Sequence, residues 1–185
     1  MLAFLAGAGW LFLSLFADPA LAAHQLSDAR LKLELVGAAV TAATAVIAAF
    51  HIQVRGRTLP WRTVPLALFA TWQILSIYRC LNGPQDGPAE EILNGRSPDC
   101  FLFILAASIP IALVLFWVLG TQRRYVGWSA SAMAGLAISS FAAFLLQFFH
   151  GFEMDFGDWS IRFLAMGIVV GSSAYVGQML PTRSI

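Results

Sequence analysis

Residues Cys100 to Gly120 read CFLFILAASIPIALVLFWVLG. The run carries about twenty residues without a charge, the length needed to cross the hydrocarbon core of a bilayer. In water such a stretch would be a buried strand or a core helix. Here several similar runs flank it, so the solvent that suits it is lipid. The 185-residue chain is 59% hydrophobic and only 11% charged, against about 25% charged residues in ordinary soluble domains. A compact water-soluble fold with so little charge would not stay in solution.

Working outward from Cys100, the chain reads as one integral membrane domain over residues 1–185, an all-α, polytopic, six-transmembrane-helix bundle. Its spans are expected at about 2–16, 35–52, 63–78, 101–120, 126–149 and 159–180. Met1 to Phe16 competes with a signal peptide, because an A-x-A-like pattern follows it. It carries no Lys or Arg ahead of the apolar run, and a signal peptide normally does, so the span reading is preferred. At about fifteen residues it is short for a span. It reads as the tail of a helix with a preceding cytoplasmic arm.

The second span has small residues at Gly37, Thr41 and Ala45, a spacing that lets another helix approach closely. The fifth repeats this at Ser131, Gly135 and Ser139, and the sixth contains Gly167-x-x-x-Gly171. Pro110 sits in mid-span and is expected to kink the fourth helix, as a bundle can tolerate. Trp10, Trp61, Trp117, Trp128 and Trp159 fall near span ends, where amphipathic rings prefer to lie, while Trp72 is internal.

Arg55, Arg57, Arg62, Arg123 and Arg124 occupy the short connections after spans two and four, and all ten acids lie on the other side. Basic short loops stay cytoplasmic, so both termini are expected in the cytoplasm of a bacterial inner (cytoplasmic) membrane. His24, Cys80, Cys100 and His150 then face the oxidising periplasm. A net charge of +1 argues against a direct nucleic-acid partner.

Cys80 and Cys100 bracket the longest loop and are candidates for a disulfide or a redox sensor pair; the alternative is two buried small hydrophobes at helix ends. His24 and His150 are weak metal candidates, since neither belongs to a tight ligand motif. The five inner arginines read first as topology anchors, and are also candidates for meeting an acidic partner. No catalytic motif and no cofactor site are expected. Glu34 and Arg162 sit near span ends, so no mid-span charge marks an ion path. Thr41, Thr44, Gln73, Gln147 and Gln178 read as interhelical hydrogen-bond partners. A small membrane redox or transport protein remains the alternative reading.

One further pattern runs through nearly the whole chain. Leu31-Lys32-Leu33-Glu34-Leu35 opens an Ala-rich span, and Val54-Arg55-Gly56-Arg57 and Pro60-Trp61-Arg62 fill the inner loop. Val64-Pro65-Leu66-Ala67-Leu68 and Trp72 follow. Then come Cys100-Phe101-Leu102-Phe103-Ile104 with Ser108-Ile109-Pro110, and an Ala/Gly-rich span ending at His150. This resembles the NrsF family of six-span inner-membrane anti-sigma factors, with Cys-x-x-Phe-Ile-x-x-x-Ser-x-Pro its most specific element. The resemblance implies a non-enzymatic negative regulator that holds an extracytoplasmic-function sigma factor at the membrane. It further implies release under redox or metal stress sensed by periplasmic cysteines. Cys100 matches the first family cysteine. The second usually follows the histidine after span five, where this chain has Gly151, so Cys80 is the candidate substitute. The family's sigma-binding segment precedes span one.

Overall fold

The protein is described by a computed structural model covering residues 29–52, 59–82, 97–121, 127–148 and 156–179. Five helices make up these residues: α1 (Ala29–Ile52), α2 (Leu59–Asn82), α3 (Ser97–Thr121), α4 (Trp128–Leu146) and α5 (Phe156–Met179). The first expected span, residues 2–16, lies outside the described residues. Six helices are therefore not what the described fold contains.

Four of the helices are long and apolar enough to cross a membrane, over Lys32–Ile52, Phe101–Leu119, Trp128–Leu146 and Phe156–Met179. A helix of 24 residues, such as α1, extends about 36 Å, more than the roughly 30 Å hydrocarbon core. Helix ends reach further than expected. α1 begins at Ala29 rather than Leu35, which brings Lys32 and Glu34 into the helix. α2 runs past Tyr78 to Asn82, and α3 starts at Ser97. Cys80 and Cys100 thus stand on helical turns, not in the loop they bracket. α3 stays helical through Pro110. The proline there lacks the N–H that would meet the Ala106 carbonyl.

α4 is the axis of the bundle. Of its span, 83% is buried, against 22% for α3. It packs on α1, α5 and α3; α2 packs mainly on α1, with a smaller contact to α5. The sequence of α4, WSASAMAGLAISSFAAFLL, explains its position. Ala, Ser and Gly on every side let three neighbours approach, and in lipid close van der Waals contact replaces the hydrophobic effect as the packing force. The main core joins Ala45, Val46, Ala48 and Ala49 of α1 to Met133, Ala134, Leu136, Ala137 and Ile138 of α4. Leu115 and Leu119 of α3 and Val169 of α5 complete it.

Large apolar side chains point outward instead. Ile109, Leu113 and Trp117 of α3 are exposed, Trp117 at 72%. A soluble protein rarely displays so continuous an apolar girth, whereas a lipid-facing surface consists of it.

The α4–α5 contact is set by small residues, but not all those expected. A Cβ on Gly135 would meet Ser173 Cβ at 2.7 Å and Val170 Cα at 2.9 Å, and one on Gly177 would collide with Ser131. Gly167 and Gly171 face away from the described helices: a Cβ on either would meet nothing among the described residues within 4 Å. The Gly-x-x-x-Gly pair is therefore not the seam; Ser173 and Gly177, also four apart, are.

Candidate functional site: a buried polar seam at one end of the bundle

The helices alternate in direction. The start of α1, the end of α2, the start of α3, the end of α4 and the start of α5 gather at one end. Ile104, Ala142, Leu146 and Ala165 form an apolar cluster there. Beside it, Ala38, Trp72, Ala143 and Met166 form another, contributed by α1, α2, α4 and α5.

Polar side chains border this second cluster. Glu34 of α1 is only 4% exposed. Trp72 Nε1 donates to its Oε2 at 2.6 Å, and Ser76 Oγ donates to its Oε1 at 2.7 Å. Trp72 and Ser76 are four residues apart, so they share one face of α2 and grip both oxygens of the carboxylate. Both bonds are short and join buried groups of two different helices. Gln73, the next residue round, ties α2 to α5. Its Oε1 accepts from Trp159 Nε1 at 3.0 Å, and its Nε2 points at Met166 Sδ at 4.0 Å.

An aromatic ladder backs these bonds. Phe156 stacks on Trp159, Trp159 on Phe163 and Phe163 on Phe69. Phe69 then meets Trp72 edge-on at 6.1 Å. Trp159 is thus a helix-to-helix connector as well as a residue at a span end.

Gly37 makes the Trp72 contact possible. A Cβ on Gly37 would lie 2.7 Å from Trp72 Cδ1 and 2.9 Å from Cγ. Gly37→Val is expected to push the indole off Glu34 and destabilise the purified protein by about 1–3 kcal/mol, the usual cost of overpacking. Titration with denaturing detergent, followed by tryptophan emission, measures it; an unshifted midpoint would show that Trp72 has room to retreat.

Cys80 lies one turn beyond Ser76 and is buried. Cys100 stands in the first turn of α3, with its side chain outside the described residues. His24, His150, Arg55, Arg57, Arg123 and Arg124 also lie outside them. Arg62 is within them, at the opposite end of the bundle. Its Nη2 donates to Ser129 Oγ at 3.2 Å, which holds it against the first turn of α4. Among the described residues no group of three or more His, Cys, Asp or Glu could hold a metal ion.

Glu34, which hydropathy places at a span end and outside any site, is the centre of this seam. A signal for it exists in the sequence: Glu34 is seven residues before Thr41 and three before Gly37, in phase with the small stripe that packs inward.

Membrane-length apolar helices tied by a few buried polar contacts define a helical membrane protein. The chain belongs to the NrsF family, negative regulator of sigma F, whose model matches residues 1–181. The family description implies negative regulation of a sigma factor. No curated protein and no solved structure matches the chain.

Proposed function

We propose that this protein is a membrane-embedded anti-sigma factor that is not an enzyme and that sequesters an extracytoplasmic-function sigma factor at the bacterial inner membrane. The observation that carries the reading is the family match over residues 1–181. The apolar, outward-facing girth of the helices supports residence in lipid. In this reading residues 1–185 are one integral membrane domain, with residues 2–16 as a sixth span and both termini in the cytoplasm. Arg55, Arg57, Arg62, Arg123 and Arg124 then face the sigma factor's compartment. The polar seam, Cys80 and Cys100 lie toward the periplasm.

Redox or metal stress acting on Cys80 and Cys100 is the proposed input. Cys80 is one turn from Ser76, and Ser76 is bonded to Glu34. A change at the thiol that displaces the last turn of α2 therefore also strains the α1–α2 tie. A stimulus shifts such an equilibrium only by its differential interaction with the two states.

The test is co-purification of a sigma factor with the full chain from its native host, paired with a reporter of sigma activity. Sigma capture is expected with the wild type and with Cys80→Ser/Cys100→Ser. The double variant is expected to lose induction by peroxide or cadmium while keeping basal repression. Retained induction would remove the cysteine mechanism. Failure of any sigma factor to co-purify, with the reporter unrepressed, would overturn the regulator reading itself.

A further inference from the structure

Arg62 carries a positive charge that the described bundle does not balance. It stands in the opening turn of α2 and is half-buried. Its Nε is fully covered and has no hydrogen-bond partner. Among the described residues its polar contact is the bond from Nη2 to Ser129 Oγ, a neutral acceptor. A guanidinium stays charged and has further N–H groups to offer. Taking such a charge partly out of water is costly unless an anion pairs with it. The sequence supplies no acid at this end of the bundle. None lies within residues 53–62 or 121–131, which hold Arg55, Arg57, Arg62, Arg123 and Arg124.

The serine that Arg62 bonds opens α4, a helix of 19 residues. Gly127 is its N-cap and brings no side chain to cap it. The Gly127 carbonyl accepts from the Ala130 and Ser131 N–H groups at 3.0 and 3.1 Å, which closes the first turn. The N–H groups of Trp128 and Ser129 come before any helical carbonyl that could accept them. The positive end of the α4 dipole and the Arg62 guanidinium therefore meet at Ser129. Both favour an anion there. Trp128, the neighbouring residue, is 59% exposed. An outward indole at the end of a span lies at the depth of the lipid headgroups.

We propose that Arg62, set against the first turn of α4, seats the phosphate of an anionic phospholipid headgroup. With Nε covered, the terminal Nη groups present the charge. A guanidinium matches two oxygens of a phosphate at once, and free N–H groups at a helix start donate to the same kind of anion. The depth selects the source: the exposed Trp128 puts Ser129 among lipid phosphates, which outnumber dissolved ones there. The charge selects the lipid. An acid-free, arginine-rich end attracts a headgroup with net negative charge over a zwitterionic one.

The inference does not depend on a sigma-factor partner, and purified full-length protein in detergent tests it. Its melting temperature is measured in mixed micelles with phosphatidylglycerol or phosphatidylcholine, and separately with inorganic phosphate, at constant ionic strength. Phosphatidylglycerol is expected to raise it saturably by about 3 °C over phosphatidylcholine; inorganic phosphate is expected to leave it unchanged. Arg62→Gln keeps a donor for Ser129 and is expected to melt near the wild type in phosphatidylcholine. It is expected to need about tenfold more phosphatidylglycerol for half the rise, the worth of one charge-assisted contact. Arg57→Gln removes the same charge from the neighbouring connection and is expected to cost less than about threefold, as a screened surface charge does. If Arg62→Gln does not fold, Arg62→Lys decides: it keeps the charge without the planar fork and is expected to lose on the order of threefold. Equal melting of the wild type in both lipids overturns the seat and leaves Arg62 to an acidic protein segment. A rise in inorganic phosphate equal to that in phosphatidylglycerol overturns the lipid as its source. Unchanged affinity in the Arg62 variant, or equal losses at Arg57 and Arg62, overturns it as well.

Discussion

Glu34→Ala is expected to lower the unfolding free energy of the detergent-solubilised protein by about 2–4 kcal/mol. The substitution leaves Trp72 Nε1 and Ser76 Oγ without the carboxylate oxygens they now donate to. Trp72 and Ser76 are both buried, and a buried donor stripped of its acceptor costs about 1–3 kcal/mol. Two such losses would reach the upper end of that sum. The membrane reduces it, because the unfolded chain in lipid also finds partners, and interhelical hydrogen bonds there average only about 0.6 kcal/mol in direct tests. Glu34→Gln keeps one acceptor oxygen at nearly the same volume and is expected to cost about half as much. The measurement is a reversible denaturing-detergent titration read by tryptophan emission. Coupling is isolated by a double-mutant cycle of Glu34→Ala with Trp72→Phe, where residues in contact typically interact by about 0.5–3 kcal/mol. A loss below about 0.5 kcal/mol for Glu34→Ala would mean that the carboxylate does not tie α1 to α2.

Much of this arrangement is legible in the chain. Four of the apolar runs are helices of span length, and Ala, Ser and Gly on all sides of residues 128–146 foretell a helix that others surround. The family pattern, anchored on Cys100 to Pro110, identifies the regulator class. Phase and end position are what fail to read. Glu34 looks terminal because hydropathy falls off at a charge, whereas the backbone hydrogen bonds of α1 continue to Ala29. Hydropathy measures where lipid is tolerable; it does not measure where the helix stops. The contact of Arg62 with Ser129 cannot be read at all. Which neighbour a long side chain reaches depends on a rotamer, which spacing does not determine.

Gly135→Leu and Gly171→Leu separate two helix faces that the sequence makes look alike. Both glycines belong to small-residue stripes with a four-residue repeat, the pattern that allows close helix approach in lipid. Spacing alone does not say which way such a stripe points, since any face of a helix can carry it. At Gly135 the neighbours are Ser173 Cβ at 2.7 Å and the Val170 backbone at 2.9 Å, while Gly171 has nothing among the described residues within 4 Å. A flexible side chain could yield at Gly135, but a backbone atom can do so only if α5 moves away from α4. That movement would also draw Val169 from the main core and Gly177 from Ser131. Gly135→Leu is therefore expected to destabilise the protein by about 3 kcal/mol or more, at the upper end of overpacking costs. Gly171→Leu adds an apolar side chain to an outward face, and glycine is a poor helix former, so it is expected to be neutral or to stabilise by up to about 1 kcal/mol. Denaturing-detergent titrations of the two variants decide it. If Gly171→Leu is as damaging as Gly135→Leu, the outer face of α5 is packed against something, and the bundle is larger than the five helices described. If Gly135→Leu is silent, the close approach of α4 and α5 is wrong.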